Sequence, residues 1–208
     1  MSGDSEAPPD TAAKRRSRDD AKRETREALI AAGIAAFSEE GIDVPSLDAI
    51  CARAGYTRGA FYVHFKDRDE FLGEVMTTVI QGLIDALIAT GNAGKDLEKT
   101  IASFVSAVRA GMFPISGGVQ MHQFAAACAR SPMIRARYVA VLQESVRRVA
   151  EAVREGQGVG TVRADVDATQ IATLLIGIVL AVVSLLEVEY PIDIDPAAAA
   201  LQALLKAP

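Results

Sequence analysis

Residues 46–66, SLDAICARAGYTRGAFYVHFK, decide how this chain folds. They read as two short helices joined at Gly55. Ser46 caps the first, which ends near Ala54, and Thr57 caps the second, which runs to about His64. Gly55 suits the joint because a turn there needs φ > 0, where a side chain would be strained. Leu47, Ile50 and Ala54 face inward from the first helix, and Tyr56, Phe61 and Phe65 meet them from the turn and the second. Cys51 takes the small-residue position where the helices cross. Helices this short add little core volume. They are how a small domain presents a helix N-terminus to the major groove of a duplex.

The same reading leaves an outward set: Thr57, Arg58, Gly59, Tyr62, Val63, His64 and Lys66. Gly59 lets a backbone approach closely. Arg58, in the first turn, reaches a base edge or a phosphate, and a bidentate contact to guanine is worth about 1–3 kcal/mol of discrimination. The hydroxyls of Thr57, Tyr62 and Ser46 suit phosphate oxygens. His64 fits a packed helix-end residue almost as well as a direct contact.

Working outward, the charge is unevenly spread. The 208 residues carry a net −5, yet residues 11–68 hold eleven Lys/Arg against nine Asp/Glu. The excess sits in Lys14, Arg15, Arg16, Arg18, Lys22, Arg23 and Arg26, a local basic patch of the kind that binding DNA requires. Residues 1–20, with Pro8 and Pro9 and no apolar periodicity, read as a disordered basic arm. A helix follows from Ala21 to Glu40, with Leu29, Ile30, Gly33, Ile34 and Phe37 on one stripe and Gly41 as its stop.

Beyond residue 66 the pattern stays helical. Asp67 with Glu70 opens a fourth helix, Asp96 a fifth and Ser131-Pro132 a seventh, with the sixth over about Val119–Ala129. Asp167 with Gln170 opens an eighth, and Asp195-Pro196 a ninth. No alternating strand pattern or internal repeat is present, so the chain is all-α: a helix-turn-helix domain over 21–66 and a six-helix domain over 67–208. The apolar run Ile171–Leu186 has 16 residues, fewer than the roughly 18–20 of a bilayer span. A buried or dimer helix is expected, and no membrane partner.

The pattern Ile50-x-x-x-Ala54-Gly55-x-Thr57-x-Gly59-x-Phe61-Tyr62-x-His64-Phe65, followed by acidic residues and Leu72, resembles the signature of TetR-type transcriptional regulators over roughly residues 25–75. The resemblance implies a three-helix DNA-binding domain followed by a six-helix domain for ligand and dimer contacts. It implies that Ser46, Thr57, Arg58, Gly59, Tyr62, His64 and Lys66 face DNA, and that Arg68 contacts phosphate. Cys51 stands where the family usually has Ala, Tyr56 where it has Val and Phe71 where it has Leu. Arg58 occupies a variable position, so no operator sequence transfers.

The expected function is a ligand-responsive regulator, by default a repressor, that binds a palindromic double-stranded operator as a homodimer. Recognition helices about 34 Å apart would enter successive major grooves. The expected dimer face is Ile171, Leu174, Leu175, Ile178, Val182 and Leu185 on the eighth helix, with Leu201 and Leu205 on the ninth. The expected lining for a small, mostly apolar effector is Phe104, Val108, Met112 and Phe113, then Met121, His122, Phe124 and Ala125, then Tyr138 and Leu142. The rival reading is a helical ligand-binding or scaffold dimer without DNA affinity.

No cofactor, metal or catalytic set is expected. His122 has no second ligand at metal spacing, two histidines support no catalytic triad, and Gly156-Gln157-Gly158-Val159-Gly160 follows a helix rather than a strand. That glycine run reads as a flexible inter-helix loop. Cys51 and Cys128 read as buried small residues, which suits a reducing cytoplasm.

Overall fold

The computed structural model describes residues 10–90, 97–110 and 119–206, and its regular elements are all helices. They are α1 (Asp10–Glu40), α2 (Leu47–Ala54), α3 (Arg58–His64), α4 (Arg68–Thr90), α5 (Leu97–Arg109), α6 (Met121–Arg130), α7 (Pro132–Gly158), α8 (Ala168–Glu187) and α9 (Ile194–Leu205). The expected all-α class and helix order hold among the described residues.

The caps explain most boundaries. Ser131 Oγ accepts from Ile134 N–H at 3.3 Å with Pro132 at the start of α7, and Asp167 Oδ1 accepts from Thr169 and Gln170 N–H at 2.9 and 3.1 Å. Asp67 Oδ1 accepts from Glu70 N–H at 2.9 Å. The return arm of that box lands one residue early: Glu70 takes the N–H of Lys66, at 2.6 Å. The helix α9 starts at Ile194, so Pro196 lies in its first turn, where a missing N–H costs nothing.

One boundary differs clearly from expectation. The helix α1 starts at Asp10, so residues 10–20, expected in a disordered arm, are helical; residues 1–9 lie outside the described residues. This segment holds two Ala, one Lys and three Arg among its eleven residues. Such residues favour helix without an apolar stripe, so periodicity does not register them. Arg23 pairs with Asp20 at 3.0 Å and Glu27 at 3.7 Å along the same face. The helix α8 starts behind its Asp167 cap as expected and spans 20 residues, four more than the apolar run within it, which makes it long and apolar enough, by length and composition alone, to cross a bilayer. Asp96, Met112, Phe113 and the breaks expected near Gly91 and Pro114 lie outside the described residues.

The main buried cluster runs unbroken from α1, α2 and α3 into α4, α6 and α7. Phe37, Phe61, Phe65 and Phe71 form its aromatic centre, with ring centroids 5.0–6.0 Å apart in mostly edge-on pairs. The α1–α4 contact depends on Gly33, since a Cβ there would stand 2.4 Å from Phe71 Cζ. The boundary expected at residue 66 is therefore not a gap in packing, because α4 is core to both sides. A second buried cluster, Val153, Val162, Ala168, Ile171 and Leu205, closes the far end.

Candidate DNA interface and ligand cavity

The α2–α3 unit is built as its residues demand. Ser46 Oγ accepts from Ala49 N–H at 3.1 Å, and Thr57 Oγ1 from Ala60 N–H at 3.3 Å. Gly55 sits at φ 78°, with its N–H on Ala52 O (3.1 Å) and Tyr56 N–H on Cys51 O (2.9 Å). That is a Schellman turn, which a Cβ would strain. Ile50, Cys51, Phe61 and Phe65 are buried, so the inward set fixes the crossing.

The outward set is exposed over Thr57, Arg58, Gly59, Tyr62, Val63 and Lys66. Arg58 donates to Tyr62 Oη at 3.2 Å, and its Nε lies 3.5 Å from Asp48 of α2, so its guanidinium is aimed before any partner arrives. Tyr62 rests edge-on against Phe61, at 5.4 Å. A Cβ on Gly59 would meet only Thr57 Oγ1, at 3.6 Å. That is ordinary van der Waals contact, so packing around Gly59 does not require glycine there. The Ser46 and Thr57 oxygens already accept cap bonds, but each hydroxyl proton remains to donate.

Two expected DNA-facing residues have other roles. His64 is half-buried beside Phe65, and its Nδ1 is buried without a hydrogen-bond partner. Burial pushes its ring below the ordinary value of 6.5, and the positive charges of Lys22 and Arg26 push it further. Arg68 forks onto Pro45 O (2.6 Å) and Ile42 O (2.7 Å), with its guanidinium 5.6 Å from the Phe37 ring centroid. It clamps the α1–α2 loop, and its forked end is spent on carbonyls rather than held out for phosphate. Sequence reading aligned the charge but had no view of those carbonyls.

A cavity of about 290 Å³ opens between α4, α5, α7, α8 and α9. Its walls are apolar, among them Ile84, Ile101, Val149, Val179, Ala198 and Leu201, and among the described residues Thr100 is the one lining residue with a polar side chain. Of the expected lining among the described residues, only Phe104 belongs to it. Met121 and Leu142 border a separate void of about 20 Å³. Phe124 is fully buried in the main core, Tyr138 packs against it, and Val108 is half-buried elsewhere on α5. Ala125 is exposed, and His122, 60% exposed, pairs with Glu187. The residues missed, on α9 above all, have an apolar pattern in sequence that does not say which helix they face.

The expected dimer face also divides. Ile171 and Leu205 are buried in the chain's own second cluster, a correction that follows from α8 packing on α7 and the α9 terminus folding back beside Val162. Leu175, Val182 and Leu201 line the cavity, and Leu185 is half-buried. Leu174, 64% exposed, faces outward, and Ile178, 39% exposed, lines the cavity as well. The Gly156–Gly160 run closes α7, with Gln157 Nε2 donating to Arg163 O and Val166 O at 2.9 Å each, so it is a pinned turn. Among the described residues no three His, Cys, Asp or Glu side chains gather as a metal site.

Two family models match, "Bacterial regulatory proteins, tetR family" over residues 29–75 and "Tetracyclin repressor-like, C-terminal domain" over 87–204. The second alone spans more than half the chain.

This chain belongs to the TetR family.

Relatives of this TetR-family chain include the HTH-type transcriptional regulator AcrR of Shigella flexneri, 40% identical over 53 residues, which are 26% of this chain and 25% of that protein. The HTH-type transcriptional repressor BepR of Brucella suis is 47% identical over 45 residues, 22% of each. The chain thus matches about a quarter of the length of these curated relatives. SmeT, the repressor of the Stenotrophomonas maltophilia multidrug efflux pump SmeDEF, aligns over 88% of this chain and 92% of its own, at 26% identity and a TM-score of 0.60. SmeT has also been solved as a triclosan complex, at 24% identity and a TM-score of 0.62. Among its described residues the TetR-family chain has nine helices, with the helix-turn-helix at α2 and α3.

Proposed function

We propose that this TetR-family chain is a dimeric repressor that grips a palindromic operator with α3 and lets go when a neutral apolar molecule fills its cavity. The observation carrying the DNA half is the pre-aimed, exposed Arg58–Tyr62 pair beside a Gly59 whose surrounding packing does not require glycine. The test is fluorescence anisotropy with the DNA upstream of the chain's own coding region. Arg58→Ala with Tyr62→Ala should weaken binding by at least about tenfold, since each lost contact is worth roughly 1–3 kcal/mol. Unchanged affinity in that double variant overturns the reading and favours a helical dimer without DNA function.

The ligand half rests on the cavity. Among the described residues its walls carry no charge to neutralise an ionised guest, and an ion entering between such walls would lose hydration without compensation. SmeT is known with triclosan; here it is the wall chemistry that selects a neutral lipophile. The probe is N-phenyl-1-naphthylamine, an uncharged fluorophore. Ala198→Phe, which fills the cavity from α9, should abolish its fluorescence enhancement.

The dimer half rests on α8, of whose most apolar stretch only 28% is buried within one chain. A stripe with Leu174 and Ile178 exposed needs a cover, and the same stripe of a second copy supplies it by two-fold symmetry.

A further inference from the structure

The N-terminus of α6 is not capped by its own segment. Gln120 stands in the cap position, but its side chain takes no backbone N–H of the helix; its amide oxygen accepts instead from the Gln123 side chain, at 3.1 Å. The free N–H groups of Met121 and His122 both point to the carboxylate of Glu187, the last residue of α8. His122 N–H lies 3.2 Å from Glu187 Oε2, and His122 Nδ1 lies 3.1 Å from the same oxygen. That carboxylate is 1% exposed. A buried carboxylate needs donors, and a helix N-terminus has unpaired donors and positive partial charge. Each end answers the other's deficit, so α6 and α8 are locked where they meet.

The rest of α6 is bolted to the DNA-binding helices. Gln123 Oε1 accepts from Ile42 N–H at 3.0 Å, and Arg130 donates to both oxygens of Asp43, at 2.8 and 3.0 Å. Ile42 and Asp43 lie in the short loop that delivers Ser46, the cap of α2. Phe124 shares the buried cluster with Phe37 and Ile42. The helix is ten residues long, a stiff rod of about 15 Å.

The ligand end of the chain of contacts is on α8 itself. Ile178, Val179 and Val182 line the cavity, and Glu187 follows Val182 by five residues, about 7.5 Å along the same helix. We propose that Glu187 and Gln123 are positioning residues that carry cavity occupancy from α8 through α6 to the loop ahead of α2. This inference rests on the cavity reading above. It does not run through α4, which also touches the cavity through Ile84 and meets α1 where Glu74 accepts from Arg26.

The experiment measures DNA affinity of the full chain with and without N-phenyl-1-naphthylamine, in wild type, Glu187→Gln, Gln123→Ala and the double variant. The probe should weaken wild-type DNA binding about tenfold or more, and each single variant should cut that to about threefold or less while holding its ligand-free DNA affinity and probe affinity within about twofold of wild type. The double variant should lose no more response than the single ones, because both residues lie on one path. Hydrogen exchange at the Ile42 amide should respond to the probe in wild type and not in Glu187→Gln. Gln123→Ala, at the less buried end, keeps the test available if Glu187→Gln fails to fold. Variants that respond as fully as wild type overturn the inference alone. A probe that binds wild type without altering DNA affinity also overturns it and leaves the cavity standing. A probe that does not bind at all overturns the cavity reading and this inference together.

Discussion

Gly33 and His64 show what single residues hold in place. A methyl on Gly33 would meet the ring of Phe71, which is fully buried and bounded by three other aromatic rings, so the ring has nowhere to go. Gly33→Ala should destabilise the chain by about 1–3 kcal/mol, the range for overpacking a tight core, as read by urea denaturation. His64 gives a pH dependence. Its folded value lies below the ordinary 6.5, so below that pH the unfolded chain takes up a proton that the folded chain resists. Its contribution is fully present above pH 6.5, falls as pH drops through that value, and levels off once the folded ring is also protonated. His64→Gln should therefore flatten the fall in urea midpoint between pH 7.5 and 5. The His64 signal in sequence was ambiguous because a register of side chains shows which face a residue shares, not whether α1 covers that face.

At the scale of elements, the α1–α2 loop is gripped from two sides. Arg68 at the start of α4 holds its carbonyls, and Gln123 of α6 holds its Ile42 amide. Arg68→Ala should lower stability by roughly 1.5–3 kcal/mol, the range for hydrogen bonds to a charged group. Arg68→Lys should rescue little of that, because one ammonium reproduces neither the fork onto two carbonyls nor the stacking on Phe37. The salt slope of DNA binding separates this clamp from a true phosphate contact. Arg58→Ala should reduce the slope if it touches phosphate, by about one unit per contact, whereas Arg68→Ala should leave it unchanged. The helix starts were legible because caps are local: Ser46, Thr57, Asp67, Ser131 and Asp167 bond to amides two or three residues away. The start of α6 was not, because its cap lies 66 residues downstream in Glu187.

For the whole molecule, the exposed stripe of α8 and the cavity behind it share one helix. Leu174→Glu with Ile178→Glu should convert a dimer to monomer at micromolar concentration in sedimentation velocity, since charges placed opposite their own copies repel and lose hydration. DNA affinity should fall with it, because one α3 reads only a half-site. A monomeric wild type would end the dimer reading.

The amino-acid sequence alone determined the all-α class, the helix order, the α2–turn–α3 unit and its division into inward and outward sets. Each of these follows from bonds and periodicities within a few residues along the chain. The tertiary structure alone decided that Arg68 clamps a loop, that Ile171 and Leu205 are core, that the cavity is walled by α9 rather than α6, and that Glu187 caps a helix distant in sequence. An apolar stripe states that a face must be covered. Which helix covers it depends on how all of them pack at once, and no local pattern carries that information.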